Sequence, residues 1–476
     1  FGLKNAELLA ISKNGELAVR LNTVFMSGYE RVGTLARVPL GGGSPREALE
    51  NVQDADWSAD GQSLAVVRFV PETSHWRLEY PIGHVLLDSI NWMSHPKISP
   101  DGKWIAFADH ENPVGDDQGS IAVVDMQGHE KKLSSGWISE QGIAWSPRGD
   151  EIWFTSSDTG SAQNLRGVTL SGKLRTITNV PGGMWLQDIR NGMPLVLAVQ
   201  KRLGLRGVAP GGKEEKELGW LGWAILGDIS RDGKKVLFEE EADGGGPNYT
   251  VFLRDTNGSP PVRIGEGRGL ALSPDGKWVI TKPAKEGPLS VVPTGAGEAR
   301  QLTHDNVSYN GVRYLPDGKQ LLAVGIESGH GARDYLIDVS NGSSKPITPE
   351  GVAGAGLSPD GRSSAVIGSD GKWGIWPLDG SGLRPLPGLD AKNYYVTGWA
   401  PDSSAIYVVD SHASSRAVIA YRVSLATQKL EPWKTFGDKL PTGANAFAPV
   451  PSDDGSAYAY GYVQILSQAY VVKGLK

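Results

Sequence analysis

The chain has 476 residues and no cysteine, which excludes disulfide bonds, cysteine-ligated zinc and a thiol nucleophile. Its 47 basic and 53 acidic residues are well mixed and give a net charge of −6, so no dense positive surface for nucleic acid is predicted. Apolar runs such as residues 193–199 are too short to cross a bilayer. The 63 glycines, 30 prolines and 15 tryptophans instead indicate an all-β protein with a large core and many turns.

One turn motif recurs along the chain: an apolar strand, then Ser-Pro-Asp-Gly-Lys or a variant, then a second apolar strand. In chain order the motif falls at residues 12, 58, 99, 146, 190, 230, 273, 315, 358, 400 and 452, and the copy at 190 is degenerate. The period of about 40–50 residues matches one four-stranded propeller blade. The sequence therefore predicts a β-propeller fold of about eleven blades.

The third copy shows how one blade is built. A first strand ends at Ser99, and residues 104–109, 120–125 and 130–134 have the alternation expected of three more strands. Between the first two, Pro100 presets φ, Asp101 bonds back to the main chain and Gly102 takes a positive φ. We therefore interpret Asp101 as a turn former rather than a catalytic acid. The same holds for its equivalents, Asp275, Asp317 and Asp360, and the tryptophans at 57, 145 and 399 are predicted to pack between blades.

A single blade cannot bury both faces, so blades must stack around an axis, and ring closure removes exposed edges. We predict two propellers in tandem: residues 1–214 with about five blades, leaving room for one from upstream, and residues 215–476 with six. In this division residues 216–221 pair beside residues 470–474 to close the second ring, and residues 1–3 form an unpaired fourth strand of the first. Seven blades plus four is the alternative.

The Ser-Pro-Asp-Gly-Lys turn followed by an aromatic strand resembles the TolB-type, WD-like propeller repeat of bacterial periplasmic proteins, and nine of the eleven copies are clear. Four stretches resemble the carboxy-terminal region of acidobacterial serine/threonine protein kinases: GLKNAELLAIS (2–12), RVGTLARVPLGGG (31–43), VQDADWSADG (52–61) and SQAYVVKGLK (467–476). In that family a kinase module and a membrane segment precede a TolB-like propeller region. The resemblance implies an extracytoplasmic sensor region, periplasmic or at the cell surface of a bacterium, with a membrane anchor upstream of Phe1.

Catalytic signatures are missing from the sequence. It has no HRD, DFG or glycine-rich ATP loop, and no Gly-x-Ser-x-Gly, Walker or HExxH motif. We therefore predict a protein without enzymatic activity or cofactor that binds a protein, peptide or glycan ligand. The alternatives are a glycan- or peptide-processing enzyme with carboxylates at the propeller mouth, and a structural assembly module.

Strand direction alternates within a blade, so the Ser-Pro-Asp-Gly turns share one face and the irregular loops share the other, where function is expected. The candidate ligand-binding residues of these loops are His110, Glu111, Asp116, Asp117, Glu239, Glu240, Glu241, Asp243, Tyr249, His304, His330, Arg333 and Asp334. His110, Asp116 and Asp117 could bind Ca²⁺ or Mg²⁺, although a hydrogen-bonded loop is the alternative. The carboxylates at 239–243 repel one another, which favours a cation or a basic partner. His330 with Asp334 could imitate an acid–base pair, but no nucleophile is identified beside it.

Overall fold

The computed structural model describes residues 3, 5–110, 116–158, 162–180, 182–246, 248–284, 286–411 and 417–475. This part of the chain forms forty β-strands and one four-residue helix, α1 (Ala242–Gly245). No helix within it is long and apolar enough to cross a membrane. The chain forms two compact units, unit 1 (residues 1–200 and 466–476) and unit 2 (residues 201–465).

Seventeen strands begin in unit 1. One seven-stranded sheet contains β1 (Ala6–Ile11), β2 (Glu16–Ser27), β3 (Glu30–Pro39), β4 (Arg46–Trp57), β5 (Leu64–Val70), β6 (His75–Glu79) and β7 (Val85–Ser89). Two four-stranded sheets follow, β8 (Trp92–Ile98), β9 (Trp104–His110), β10 (Gly119–Asp125) and β11 (Glu130–Trp137), then β12 (Ser139–Trp145), β13 (Glu151–Ser157), β14 (Asn164–Thr169) and β15 (Leu174–Thr178). The last two are β16 (Gly183–Arg190) and β17 (Met193–Val208).

The other strands begin in unit 2. After β18 (Lys216–Glu217), one sheet contains β19 (Ala224–Ile229), β20 (Lys235–Glu240), β21 (Thr250–Asp255) and β22 (Val262–Glu266). The next two are β23 (Arg268–Leu272), β24 (Trp278–Lys282), β25 (Ser290–Pro293) and β26 (Arg300–Gln301), then β27 (Val307–Tyr314), β28 (Gln320–Glu327), β29 (Arg333–Asp338) and β30 (Ser344–Pro346). They are followed by β31 (Ala353–Leu357), β32 (Ser363–Ile367), β33 (Lys372–Pro377) and β34 (Arg384–Asp390), and by β35 (Tyr394–Trp399), β36 (Ala405–Asp410), β37 (Val418–Ser424) and β38 (Leu430–Phe436). The chain ends with β39 (Ala444–Pro451) and β40 (Tyr458–Val471).

The all-β prediction and the repeated four-stranded antiparallel sheets are confirmed. Each of the eleven predicted turns joins two consecutive strands that pair antiparallel with one another. In the third copy the amide of Gly102 donates to the carbonyl of Ser99 at 2.9 Å, and Asp101 accepts the Ser99 hydroxyl at 2.7 Å. Asp275 and Asp360 accept the equivalent serine hydroxyls, and Asp317 accepts the amide of Lys319, so these aspartates build turns as predicted.

Strand β4 serves two copies of the repeat. Its residues up to Val52 pair with β3, and its residues from Val52 onward pair with β5. Two four-stranded blades therefore share one continuous strand, which merges them into the seven-stranded sheet.

The predicted pairing of residues 216–221 with residues 470–474 is wrong. Strand β18 pairs instead with Arg206 and Gly207 of β17, and the strand order there is β39, β40, β17, β18. The segments 193–208 and 458–471 are each one continuous strand, β17 and β40. Neither segment contains a turn-forming residue pair, so each continues as one long strand. Of the predicted strand at residues 1–3, Phe1 and Gly2 lie outside the described residues and Leu3 is not in a strand.

The core consists of apolar layers between neighbouring sheets. Ile121 of β10, Ile143 of β12 and Phe154 of β13 form one such layer, and all three are fully buried. The predicted packing of the tryptophans is confirmed, since the indole N–H of Trp145 donates to the carbonyl of Lys97 in the preceding sheet at 2.9 Å. Trp399 donates in the same way to Gly356 at 2.7 Å.

The first strands of successive sheets in unit 2 contact one another in order. Strand β19 contacts β23, and the series continues through β27, β31 and β35 to β39, which contacts β19 again. At this last contact Arg231 Nε lies 3.1 Å from Asp453 Oδ2. Six other copies of the turn carry proline at the position of these two residues. An ion pair therefore joins the two turns where the succession of sheets returns to its start.

Candidate functional site

Glu239 and Glu240 end β20, and both are buried although the sequence suggested exposed charges. Glu239 Oε2 accepts the amide of Gly269 at 2.9 Å, from the first strand of the next sheet. Burial raises the pKa of the Glu239 carboxyl to about 7, partly offset by Arg268. Glu239 thus links two sheets.

Glu240 holds a neighbouring loop through its carboxylate. One oxygen accepts the amides of Trp220 and Leu221, both at 2.8 Å, and the other accepts the amide of Trp223 at 3.0 Å. The side chain is fully buried. A carboxylate that accepts several main-chain N–H groups is a strong, charge-assisted anchor. We call the anchored residues 219–223 the Trp220 segment.

Further contacts fix the Trp220 segment from other sides. Arg254 donates to the carbonyl of Gly219 at 2.9 Å, and Leu203 donates to the carbonyl of Gly222 at 3.0 Å. Gly244 of α1 packs directly on Leu221, since a Cβ at this glycine would lie 2.5 Å from the Leu221 side chain. The absence of a side chain at Gly244 therefore permits this close packing.

Two large apolar side chains project from this fixed segment into solvent. Trp220 is 50% exposed and Leu221 is 52% exposed. The guanidinium of Arg254 lies 5.9 Å from the Trp220 ring. Exposed aromatic residues on a preorganised backbone bind partners at a low cost in conformational entropy. The sequence analysis missed this segment because it follows a two-residue strand and carries no charge.

The other residues predicted around β20 have local roles. Glu241 lies 3.7 Å from Arg268, whose guanidinium is 5.4 Å from the ring of the buried Tyr249. The side chain of Asp243 lies outside what the structure describes. Of these residues, Glu241 also contacts the Trp220 segment, because its amide donates to the carbonyl of Trp223 at 3.1 Å.

The loop between β28 and β29 separates its predicted residues. Asp334 is fully buried and accepts the amide of Gly354 at 2.8 Å and the hydroxyl of Ser364 at 2.9 Å, so it links two sheets. His330 and Arg333 instead approach Glu350, at 3.4 and 3.6 Å. His330 and Asp334 therefore have different partners. His304 is exposed in a separate loop, 3.1 Å from the side chain of Gln301.

In unit 1, His110 is fully buried and stacks on Trp92 with ring centroids 3.6 Å apart. Its Nε2 lies 2.7 Å from the Ser94 hydroxyl and its Nδ1 lies 3.0 Å from the carbonyl of Gln118. Burial lowers the pKa of His110 to about 3. Both ring nitrogens are engaged, so His110 could bind a metal only by giving up one of these hydrogen bonds.

The remaining candidates of this loop are also engaged. Asp117 accepts the Ser139 hydroxyl and the Gln141 side-chain amide, both at 2.8 Å, and Asp116 accepts the amide of Gln118 at 3.0 Å. Glu111 lies outside the described residues. Within the described ranges, no group of three or more His, Asp or Glu side chains is placed to hold a metal ion.

Glu140 is a buried carboxyl that the sequence analysis did not single out. It is fully buried and neither of its oxygens has a hydrogen-bond partner. Burial, and then the charge of Asp117, raise its pKa well above the ordinary value. Perturbed acids of this kind cluster at functional sites, although structural networks produce them too.

No protein-family model matches the chain, and no curated protein matches it. Among solved structures, it is similar to TolB from Acinetobacter baumannii (15% identity, 87% of this chain and 82% of that chain, TM-score 0.24). It is also similar to the tricorn protease (11% identity, 99% and 62%, TM-score 0.36) and to an oligogalacturonate lyase from Vibrio parahaemolyticus (17%, 54% and 77%, TM-score 0.33). At these values the likeness bears on neither activity nor partner. The chain is an all-β protein of repeated four-stranded sheets with a structural resemblance to TolB and related β-propellers.

Proposed function

We propose that the chain is a non-enzymatic propeller protein that binds a protein or peptide ligand through the Trp220 segment. The observation that carries the proposal is the pairing of exposure with rigidity. Trp220 and Leu221 are half-exposed, while three of the surrounding amides are held by the buried Glu240. Tryptophan is enriched among residues that dominate binding energy at interfaces. The Arg254 guanidinium beside the Trp220 ring donates to the carbonyls of Gly219, Gly258 and Ser259, which adds to the rigidity of the segment.

The proposed architecture is two propellers in tandem. The succession of first-strand contacts in unit 2, which returns from β39 to β19, supports a six-bladed ring. In that ring β39, β40, β17 and β18 supply the blade that joins the two ends of the unit. The five sets of strands in unit 1 support a second propeller of about five blades.

The biological setting follows from the resemblance to receptor-type bacterial kinases. We place the chain outside the cytoplasm, as the sensor region of such a kinase. A rigid binding segment on a propeller loop is consistent with a sensor, because it can engage a ligand without rearrangement of the scaffold.

The test is a binding screen of the purified chain against envelope-derived peptides and proteins, with each binder measured by biolayer interferometry. We expect at least one binder whose affinity falls about tenfold or more with Trp220→Ala, which corresponds to about 1.4 kcal/mol. Phe25→Ala is the matched control, because Phe25 is also an exposed aromatic side chain but lies in β2 of unit 1. Binders that are equally affected by both changes, or by neither, contradict the proposal.

A carboxylate-based enzyme is the second candidate function, and the pair formed by Glu140 and Asp117 is the observation that favours it. A carboxyl with a raised pKa beside a second carboxyl is the arrangement used by glycan-cleaving enzymes. The complete burial of Glu140 weighs against it, since a substrate would need an opening beside that side chain. Turnover of a polysaccharide or peptide that Glu140→Gln abolishes would establish this candidate in place of the first.

A further inference from the structure

A groove of about 580 Å³ lies between two sheets of unit 2, at the end where their Ser-Pro-Asp-Gly turns meet. Strands β23–β26 form one wall and β27–β30 the other. The polar and aromatic side chains that line the groove include Asp275, Trp278, Arg300, Tyr314 and Lys319. This is the face on which the sequence analysis expected no function.

One residue of the groove is found in this copy of the repeat alone. Tyr314 ends β27 at a position that holds isoleucine or leucine in six other copies, tryptophan in three and proline in one. The indole N–H groups of two of these tryptophans, Trp145 and Trp399, each donate to the main chain of the preceding sheet. Tyr314 therefore brings to this position a hydroxyl group that no other copy has.

The Tyr314 hydroxyl has no hydrogen-bond partner, although the residue is only 7% exposed. A buried hydroxyl without a partner destabilises the fold, so native structures seldom keep one. The charged groups that act on it are Asp275 and Arg300, both from the facing wall. A ligand hydroxyl placed in the groove would supply the missing hydrogen bond.

The remaining lining defines the chemistry of that ligand. Trp278 begins β24 and is 39% exposed, so part of its ring is available as an apolar platform. Arg300 and Lys319 are donors, whereas Asp275, Asp317 and Asp338 are acceptors. The positive and negative charges that line the groove nearly cancel, which favours a neutral ligand over an ion.

A compact molecule with an apolar ring face and a rim of hydroxyl groups fits these features. The hydroxyls of a sugar both donate and accept, and its ring face packs on an aromatic side chain. Ligand pockets usually enclose about 300–1,000 Å³, and the volume of this groove falls within that range.

We propose that this groove binds a neutral saccharide, with one sugar ring against Trp278 and one hydroxyl bonded to Tyr314 Oη. The site is independent of the Trp220 segment. Loss of either binding activity therefore leaves the other intact.

The experiment uses the full chain and three probes: maltotriose, cellotriose and tri-N-acetylchitotriose. Binding is measured by saturation-transfer NMR and isothermal titration calorimetry. We expect at least one probe to bind, and its affinity to fall about tenfold or more with Trp278→Ala. Trp104→Ala is the matched control, since Trp104 begins the second strand of its own sheet, as Trp278 does, and should leave binding unchanged.

Tyr314→Trp tests the role of Tyr314 in the groove. It introduces the larger residue found in three other copies, so we expect it to fill the space and abolish saccharide binding without lowering the melting temperature. If this variant does not fold, Tyr314→Phe removes only the hydroxyl and should weaken binding several-fold. The proposal is overturned if no probe binds, or if binding survives both Trp278→Ala and the change at Tyr314.

Discussion

Glu240→Gln is the sharpest test of how the Trp220 segment is held. The substitution keeps the shape of the side chain and one acceptor oxygen, which can still accept the amides of Trp220 and Leu221. It replaces the other oxygen with an NH₂ group, which cannot accept the amide of Trp223. It also removes the negative charge that strengthens all three bonds.

The expected magnitude follows from these three bonds. A hydrogen bond to a charged group contributes about 1.5–3 kcal/mol, and a buried donor left unpaired costs about 1–3 kcal/mol. One bond is lost outright and two become neutral. We therefore expect the segment to be destabilised by about 2–4 kcal/mol.

Hydrogen exchange of the Trp220, Leu221 and Trp223 amides measures the destabilisation of the segment directly, even if the two units unfold separately. A loss of about 2–4 kcal/mol accelerates exchange by about 30- to 700-fold. Glu241→Gln is the control, because Glu241 meets Arg268 only at 3.7 Å and should change these rates little. Equal effects of the two substitutions, or unchanged protection with Glu240→Gln, would refute the anchoring role.

Four further outcomes are expected. The His110 ring resonances should not titrate between pH 8 and 5, because the pKa of the buried imidazole is about 3. As pH falls below about 6.5, the imidazole of the unfolded chain takes up a proton that the folded protein does not, so the free energy of unfolding should fall. The pH dependence expected from Glu239 has the opposite sign, because between about pH 4.5 and 7 the folded protein keeps a proton that the unfolded chain has released. The free energy of unfolding measured in urea should therefore fall by up to about 3 kcal/mol as pH rises through that window. Glu239→Gln should remove this slope. Trp145→Phe should destabilise unit 1 by about 1 kcal/mol more than Trp57→Phe, because only the Trp145 indole N–H has a partner. Arg231→Asp and Asp453→Arg should each lower the denaturation midpoint, and the double exchange should restore it, with a coupling of about 0.5–1 kcal/mol for this half-exposed pair.

Distinct results would contradict each of these. A His110 resonance that shifts near pH 6.5 would show that the ring is not sequestered. A pH slope that survives Glu239→Gln would assign the proton to another group. Equal losses for the two tryptophan substitutions would leave only packing as the role of Trp145, and additive effects at Arg231 and Asp453 would show that the pair is not coupled.

The repeat made the sheets predictable, because the chemistry of each turn is local. Pro100, Asp101 and Gly102 specify a turn through their own dihedral preferences and short hydrogen bonds, whatever surrounds them. The alternating apolar residues then specify the strands on either side. The length of strand β17 was harder to predict, since only the absence of a turn signal between residues 193 and 208 distinguishes one long strand from two.

The candidate site was predictable only in part. A glutamate at the end of a strand suggests an exposed charge, but Glu239 and Glu240 are buried because amides of the next sheet and of the preceding Trp220 segment donate to them. Such partners lie 17 to 30 residues away and have no sequence signature. The position of Tyr314 was different: alignment of the eleven copies would have shown a tyrosine that no other copy has there.

The long strands β17 and β40 have a consequence for how the protein is made. Residues 466–471 belong to unit 1, where the amide of Val472 donates to the carbonyl of Pro194 at 2.9 Å, while residues 458–465 of the same strand belong to unit 2. Domains that emerge first from the ribosome usually fold first. Here neither unit has its full set of strands until the last strand is synthesised. Both units therefore lack a strand until β40 is made, and a nonsense codon after residue 457 would damage both of them.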